Sequence, residues 1–530
     1  MLLFYSCKQD KTQSDKTVFR YNESKGIATL DPAFAKSQVL IRPANQLYNG
    51  LVQMDNNLNI VPSIAKEWEI INSGKTYLFT LRNDVYFHDH QIFSNGEGRK
   101  VTALDFEYSL NRIIDPKTAS PGAWIFNNVD KNDIKALNDS ILEIKLKNPF
   151  PAFLGLLSMQ YCSVVPKEIV EYYGNDFRNN PVGTGPFQFK VWKESEKLIL
   201  VKNPNYFEQD SLGNPLPYLD ALSITFINDK QSEFLEFLKG NLDFISGLNP
   251  ANKDELLTKN GYLNPKYKDQ FKMINQSYLN TEYLGFLLDT SKIKNKLSPV
   301  LNKKVRQAIN YGFDRIKMMK YLRNSIGEPA LQGFIPKGLP GYIDEFQGFE
   351  YNPDKTRELL IEAGYPNGEN LAPITLTTTA DYLDLCEYIQ QQLSQFGIEI
   401  NIDVNTGATF RDMVANSKLE FFRGSWIADY PDAENYLALF YSKNHSPGGP
   451  NYTHYSNTDF DKFYEQAMLE TNDISRILLY NEMNKIIVND AVVVPLYYDE
   501  VIRFVKNNIS GFESNPMNLL NLKYVKKENK

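Results

Sequence analysis

Strand-like and helix-like hydrophobic patterns follow one another along the chain. Tyr77–Leu81 alternates as a half-buried strand does and ends at a polar turn. Thr102 followed by Asp105 is typical of a helix start, with Phe106 as the first apolar position. The apolar residues from Leu301 to Ile316 recur at helical spacing, which predicts a further helix.

A helix-glycine-strand unit marks the second half of the chain. Pro353 opens a helix that ends at Gly364. The apolar residues from Leu385 to Phe396 predict another helix, which closes at Gly397. Residues 398–404 then alternate as a strand, so the pattern predicts an α/β architecture.

Composition sets the scale of the protein. With 530 residues the chain is too long for one compact core, so we expect two or three domains. It is 42% hydrophobic and 23% charged, as soluble globular proteins are. The net charge of −7 argues against a nucleic-acid partner, although it leaves room for a local anion site.

The N-terminus resembles the tail of a bacterial lipoprotein signal. A short apolar run stops at Cys7, and the polar residues 8–16 would tether a folded domain. In that interpretation Cys7 is lipidated and anchors the protein to a membrane at the cell surface or in the periplasm. The alternative is a disordered cytosolic N-terminus. The rest of the sequence contains no run of 18 apolar residues, so it predicts no membrane-spanning helix.

Motifs for catalysis, cofactors and metals are missing from the sequence. It contains no dinucleotide, P-loop, zinc-protease or nucleophile-elbow motif, so we predict no catalytic residue and no cofactor. His88 and His90 could share a metal on a strand, but a structural role is the simpler interpretation. Cys162 and Cys386 lack CxxC partners and are interpreted as buried small residues, with a disulfide only if the fold joins them.

The segment Arg423–Asp432 has the most informative chemistry. It reads RGSWIADYPD and places a guanidinium and a carboxylate, Arg423 and Asp429, around the aromatic residues Trp426 and Tyr430. Two opposite charges six residues apart suit a ligand with an ammonium at one end and a carboxylate at the other. A free peptide is such a ligand.

The whole chain resembles the bacterial extracellular solute-binding proteins that feed dipeptide and oligopeptide ABC transporters. The resemblance covers roughly residues 17–520, and its specificity comes from the order and spacing of many short motifs. These motifs are TLDP at 29–32, LYNGL at 47–51, PSIAKEW at 62–68, LRNDVYFHD at 81–89, VTALDF at 101–106, GTGPF at 183–187, NPNY at 203–206, VRQAIN at 305–310 and AGYP at 363–366.

The resemblance implies a two-lobed, periplasmic-binding-protein-like α/β fold of class II that closes over its ligand. Residues 1–16 would be signal remnant and tether. Lobe I would comprise residues 17–60, 185–283 and 491–530, with residues 61–184 as an inserted subdomain. Lobe II would comprise residues 284–490. The protein would then be a monomeric, non-enzymatic receptor that delivers short peptides to permease subunits.

The resemblance also implies roles for individual residues. In oligopeptide receptors of this family, an Asp shortly after the cleft Gly-x-Trp pairs with the ligand ammonium, and Asp429 matches that position. The backbone of Ser425, Trp426 and Ile427 would pair with the peptide like an added strand. Arg423 would hold the ligand carboxylate. Tyr497 and Tyr498 resemble a tyrosine cluster that lines side-chain pockets.

Alternatives stay open at each of these positions. Asp429 could form a structural ion pair or cap a turn, Arg423 could have an intramolecular partner, and Trp426 could be core. The family's carboxylate-binding His falls near Tyr382 or Leu383, which leaves the ligand length undetermined. The family also includes receptors for sugars, opines and metal chelates. A secreted hydrolase is the alternative from another class of protein.

Overall fold

The computed structural model describes residues 16–247, 252–293, 296–513 and 515–528. Its strands are β1 Val18–Asn22, β2 Val52–Met54, β3 Ile60–Pro62, β4 Ala65–Ile71, β5 Thr76–Leu81, β6 Val129–Asn138, β7 Ile141–Leu146, β8 Phe187–Lys193, β9 Lys197–Lys202, β10 Ala221–Thr225, β11 Phe244–Ser246, β12 Phe271–Phe286, β13 Glu328–Pro329, β14 Ile374–Thr379, β15 Ile400–Asn405, β16 Phe421–Ile427, β17 Val493–Lys506, β18 Ile509–Ser510 and β19 Lys526–Lys527.

Helices alternate with these strands along the chain. They are α1 Gln38–Leu47, α2 Ala103–Ile114, α3 Phe153–Leu157, α4 Lys167–Tyr173, α5 Lys230–Lys239, α6 Lys253–Leu256, α7 Lys303–Tyr311, α8 Arg315–Leu322, α9 Pro353–Glu362, α10 Leu383–Ser394, α11 Gly407–Ala415, α12 Glu434–Leu437, α13 Thr458–Leu469 and α14 Asp473–Asp490. No helix of the described residues is both long and apolar enough to cross a membrane.

One large sheet runs through both lobes. Its strand order is β15-β14-β16-β12-β17-β11-β1-β10-β9-β8, with β13 added on β17. The long strands β12 and β17 connect the two halves. Residues 271–277 of β12 pair with 500–506 of β17, whereas 281–285 pair with 493–498, and the register shifts between these stretches. These two paired strands therefore join the two halves of the sheet.

The segment predicted as an inserted subdomain contains its own sheet. Strands β4, β5, β7 and β6 pair side by side and antiparallel, and α2 packs against β6 and β7. A capping box of Thr102 and Asp105 begins α2, as the sequence predicts. The interior of this sheet is continuous with the apolar core of the β1-β10-β9-β8 half.

Most predicted elements are confirmed, and one is corrected. β5, α9, α10 and β15 lie where the hydrophobic pattern placed them. The single helix expected from Leu301 to Ile316 is wrong, because the chain breaks there into α7 and α8. Asp314 caps α8 by accepting a hydrogen bond from the backbone N–H of Lys317. Gly312 lies between α7 and α8, where a Cβ would come within 2.5 Å of Leu393 Cδ2 of α10.

Candidate functional site

A cavity of about 880 Å³ separates the two lobes. Its volume lies within the range of small-ligand sites. Lobe I contributes residues around β1, α1 and α5, and lobe II contributes the end of β16 and the residues that follow. The lining includes Glu23, Lys25, Lys36, Arg42, Trp124, Met159, Tyr161, Lys230, Tyr278, Ile427, Ala428, Asp429 and Met517. Of the seven ligand-binding residues predicted from the sequence, Asp429 and Ile427 line this cavity.

Strand β16 brings the predicted motif to the cleft. It pairs antiparallel with β12, so that Ile427 lies opposite Asn280 and Ser425 opposite Glu282. Gly424 permits this pairing, because a Cβ there would lie only 2.3 Å from the Tyr283 ring. The Ser425 hydroxyl donates a hydrogen bond to Asn280 Oδ1 at 2.9 Å.

The other edge of β16 is largely open. β14 pairs with it only at Phe421 and Phe422. Within the described part of the chain, no strand pairs with that edge from Arg423 to Ile427. Backbone groups of this stretch are therefore available to an extended ligand, which is the arrangement that strand addition requires.

Asp429 follows β16 on the cleft wall of lobe II. Its backbone N–H donates to Asn435 Oδ1 at 3.1 Å, and Asn435 Nδ2 lies 3.4 Å from its carboxylate. The side chain is exposed to the open cleft. Nearby protein atoms nevertheless desolvate it and raise the pKa of the carboxyl above its ordinary value, against the opposing Asn435 hydrogen bond. Among the described residues it has no cationic partner within ion-pair distance.

Arg423 has an intramolecular partner. Its guanidinium forms a close ion pair with Glu282 of β12, and the two side chains are 12% and 2% exposed. The guanidinium carbon also lies 3.3 Å from the centre of the Tyr382 ring. Burial raises the pKa of Glu282, and the charge of Arg423 opposes that rise. The cation is thus neutralised before a ligand arrives.

A polar network surrounds this ion pair. Asn280 Nδ2 donates to Glu282 Oε1 at 3.1 Å and lies 3.3 Å from Asp499 Oδ2. Asp499 in turn lies 3.4 Å from the guanidinium of Arg323. The sequence analysis missed Glu282, Asn280 and Asp499, since they stand on strands far from the motif in the chain. The polar residues 280–282 of β12 were the local signal for Asn280 and Glu282, whereas Asp499 stands on β17.

Trp426 points to the other face of β16. Its ring packs against an apolar core of lobe II, and its indole N–H donates to Asn435 Oδ1 at 3.0 Å. Asn435 therefore joins the Trp426 ring to the backbone of Asp429. Through this contact Trp426 helps to position the backbone of Asp429 on the cleft wall.

Tyr497 and Tyr498 are buried, at 1% and 3% exposure, on the stretch of β17 that pairs with residues 281–285 of β12. The Arg323 guanidinium carbon lies 4.8 Å from the centre of the Tyr497 ring. The Tyr498 hydroxyl donates to the carbonyl of Gly333 at 2.9 Å. Neither residue lines the 880 Å³ cavity, so the structure does not bring them together with Asp429.

The opposite wall carries charges that the sequence analysis missed. Arg42 Nη1 and Glu23 Oε1 form a buried ion pair at 3.0 Å. Burial raises the pKa of Glu23, and Arg42 opposes the rise. Lys25 and Lys36 are exposed at the same cavity. Lobe I thus presents cations to the cleft at positions where no motif had marked them.

Tyr430 bridges the two sides of the cleft. Its side chain belongs to the apolar core of lobe I, and its ring centre lies 6.4 Å from that of Trp124. Its hydroxyl and that of Tyr464 both donate to the buried Glu434 carboxylate. Burial raises the pKa of Glu434 to about 6.

His88, Cys162 and Cys386, which the sequence raised as possible metal ligands or disulfide partners, are buried. No cluster of three or more His, Cys, Asp or Glu in the described parts of the chain could hold a metal ion. His88 is buried and hydrogen-bonds to the carbonyl of Gly185 at 3.0 Å. Cys162 and Cys386 are free and buried in separate cores, which confirms their interpretation as small core residues. Cys7 lies outside the described residues.

Comparison with known proteins identifies relatives of several kinds. The glutathione-binding protein GsiB of Salmonella choleraesuis is 27% identical over 490 residues, which cover 91% of this chain and 89% of the relative. The heme-binding protein A of Haemophilus influenzae is 26% identical over 546 residues, covering 97% and 95%. The periplasmic binding protein DppA of Helicobacter pylori, solved with the peptide STSA, superimposes with a TM-score of 0.76 at 25% identity, covering 97% and 98%.

These matches confirm the two-lobed fold. A sequence profile described as "Bacterial extracellular solute-binding proteins, family 5 Middle" matches residues 59–448, which is most of the chain. Members of this family bind solutes and are not enzymes. The chain belongs to the bacterial extracellular solute-binding proteins of family 5.

Proposed function

We propose that this protein is the receptor of an ABC transporter that captures short peptides between its lobes and delivers them to a membrane permease. The observation that carries the proposal is Asp429, an exposed carboxylate on the cleft wall that has no ion-pair partner among the residues the structure describes. A ligand ammonium is the group that such a carboxylate lacks. Closure of the lobes would desolvate the pair and strengthen it.

The open edge of β16 supports the same proposal. A peptide that lies along residues 423–427 would hydrogen-bond through its main chain. Main-chain pairing ignores side chains, and so it suits a receptor for peptides of varied sequence. Two of the proteins compared above, which bind glutathione and the peptide STSA, have ligands of this chemistry.

The ligand carboxylate needs a cation. Arg423 remains our sequence-based proposal for it, although Glu282 already neutralises this guanidinium. Lys25 and Lys36 of lobe I are exposed cations at the cavity. Lys230 is also exposed there, but it is paired with Glu233. A carboxylate that meets Lys25 and Lys36 would bring both lobes into contact with one ligand, and ligand binding would then favour the closed state.

The anchor and the assembly are part of the proposal. Lipidation of Cys7 would hold a monomeric receptor at the membrane surface, within reach of the permease. The polar residues 8–16 provide the tether.

Isothermal titration calorimetry tests the proposal. The probes are unblocked di-, tri- and tetra-alanine, together with N-acetylated tri-alanine. We expect the acetylated peptide and the variant Asp429→Asn each to lose about 2–5 kcal/mol of binding free energy, as for truncating one partner of a buried charge pair. Asp139→Asn is the matched control, because it neutralises an exposed carboxylate in a hairpin outside the cleft.

Two results would count against the proposal. Equal affinity for free and acetylated peptide would remove Asp429 as the ammonium anchor. No binding of any peptide, combined with binding of haemin alone, would move the protein to another ligand class of its family. Native mass spectrometry of the protein as purified would then identify the retained ligand.

A further inference from the structure

A second cavity, of about 540 Å³, lies between lobe I and the inserted subdomain. One wall comes from residues 28–40, and the other comes from residues 112–118 and 170–178 of the inserted subdomain. The second wall contributes nothing to the interlobe cavity, and among the described residues none of lobe II lines this space. We call it the subdomain pocket. It is complete without closure of the lobes and without a peptide in the cleft.

The subdomain pocket collects positive charge in a protein whose net charge is −7. Its described lining contains four cations and one carboxylate, which are Lys36, Arg112, Lys117, Arg178 and Asp31. The carboxylate is already neutralised, because Arg112 Nη1 and Nη2 donate to the two oxygens of Asp31 at 2.9 and 2.5 Å. The pair is largely buried, at 14% and 6% side-chain exposure. The other three cations therefore line the pocket without a carboxylate to balance them inside it.

These three cations differ in how they are held. Arg178 Nη1 donates to the carbonyl of Ala28, and Nη2 contacts Glu194 outside the pocket, both at 3.0 Å, so the position of this guanidinium is fixed. Lys36 and Lys117 are exposed and have no ion-pair partner within the described part of the chain. Like charges that share a cavity repel one another, and a bound anion removes that repulsion.

The subdomain pocket also has an apolar side. Phe34, Leu40 and Val170 line it, and the last two are 9% and 7% exposed. A ligand group that covers these side chains gains from leaving water. The Thr118 hydroxyl and the Asn175 amide line the pocket as well and can donate hydrogen bonds to anion oxygens. The lining therefore suits an anion that carries an apolar group.

We propose that the subdomain pocket binds a phosphomonoester with an apolar group attached. A phosphorylated hydroxyl carries a charge of about −1.5 to −2 near pH 7. That charge matches the two unpaired ammonium groups of Lys36 and Lys117, whereas a monovalent carboxylate would leave one of them uncompensated. Phosphate oxygens also accept hydrogen bonds from ammonium and guanidinium groups. A soluble ester and a lipid with a phosphomonoester headgroup share this chemistry.

Isothermal titration calorimetry in phosphate-free buffer tests the site on the full-length protein. The probes are phenyl phosphate, inorganic phosphate and benzoate. We expect phenyl phosphate to bind at least about tenfold more tightly than inorganic phosphate, which lacks the ring, and than benzoate, which carries a single charge. The proposal is overturned if phenyl phosphate shows no saturable binding, or binds no more tightly than either of the other two anions.

Lys117 is the residue to substitute, since Lys36 also lines the interlobe cavity. Lys117→Glu reverses an exposed charge and should weaken phenyl phosphate binding at least about tenfold at low ionic strength. Lys117→Arg keeps the charge and should retain most of the affinity. Lys131→Glu is the matched control, because it makes the same charge change at an exposed position of β6 outside the pocket. No loss in Lys117→Glu, or an equal loss in Lys131→Glu, would contradict the site.

Vesicle sedimentation distinguishes the two sources of the ligand. The vesicles contain phosphatidylcholine alone or phosphatidylcholine with phosphatidic acid, and the protein carries Cys7→Ser so that no lipid anchor contributes. Binding that requires phosphatidic acid, is lost in Lys117→Glu and persists in Lys131→Glu would assign the pocket to a lipid headgroup. Binding of phenyl phosphate without binding to either vesicle would assign it to a soluble ester. Binding to neither phenyl phosphate nor vesicles would overturn the proposal.

Discussion

Arg423 and Asp429 stand six residues apart on one segment and differ in what the fold gives them. Arg423 contacts a buried glutamate and an aromatic ring inside lobe II. Asp429 faces the cleft, and within the described chain Asn435 is the one side chain that hydrogen-bonds to its carboxylate. The pair teaches that a charge in a binding motif serves the fold when it is paired and the ligand when it is not. Arg423 is paired and does not line the cavity, whereas Asp429 lines the cavity and has no ion-pair partner among the described residues.

The largest expected effect comes from breaking the ion pair between Arg423 and Glu282. Arg423→Ala would leave Glu282 buried without a counter-charge, so the free energy of unfolding should fall by about 3–5 kcal/mol. Urea unfolding of the ligand-free protein measures it, with the exposed Arg411→Ala as control. The double variant Arg423→Met/Glu282→Leu should recover most of the loss. If Arg423→Ala unfolds like the wild type, the pair has no structural role.

Glu434 extends the comparison to a carboxylate that is buried without an ion-pair partner among the described residues. Its pKa of about 6 in the folded protein exceeds its ordinary value of 4.5. Protonated Glu434 therefore makes its full contribution to folding stability below pH 4.5, and this contribution is lost as the pH rises through 6. Glu434→Gln should remove that loss and be more stable than the wild type at pH 8, by about 2 kcal/mol. If Glu434 did not titrate, the melting temperatures of the wild type and of Glu434→Gln would differ by the same amount at every pH between 4 and 8.

The pH dependence of peptide binding tests whether the unpaired Asp429 attracts the ligand ammonium. Only ionised Asp429 attracts an ammonium, and burial raises its pKa. Affinity for a free peptide should therefore fall as the pH drops through that raised pKa, about tenfold for each further unit. Titrations in acetate buffers at decreasing pH measure the effect. The Asp429→Asn variant should show a flatter dependence, and an equally steep one would assign the titration to another group.

The smallest effect concerns Trp426, which lies between the two charges but on the other face. Trp426→Phe removes the hydrogen bond from the indole N–H to Asn435 and should cost about 1 kcal/mol of folding stability. Peptide affinity should change little, since the ring does not line the main cavity. A loss of affinity without a loss of stability would place Trp426 on the ligand instead.

The local patterns of this sequence predicted much of the fold because its helices and strands have strong local signals. Pro353, Gly364 and Gly397 marked helix ends that the structure confirms. The corner at Gly312 could not be predicted in this way. An apolar spacing continues across it, and only the packing against α10 shows why the chain turns.

The site was predictable where it depends on one segment. The family resemblance suggested a cleft position for the segment 423–432, and Asp429 and Ile427 of that segment line the cavity. The exposed Lys25 had no sequence signal, because its significance arises from the cavity that it lines. Tyr497 and Tyr498 show the converse: a resemblance suggested the cleft, and their side chains lie in the interior. Their predicted role in ligand binding stays a prediction.

By itself, the sequence determined the α/β elements, the family and the residue with the appropriate charge for an ammonium. These follow from hydrophobic periodicity, turn residues and motif order, which are local properties. The tertiary structure decided which charges are free. Glu282 lies 141 residues before Arg423, and strand register alone brings the two side chains together. Long-range pairing of this kind leaves no periodic trace in the chain, and it is what separates a structural charge from one that is free to bind.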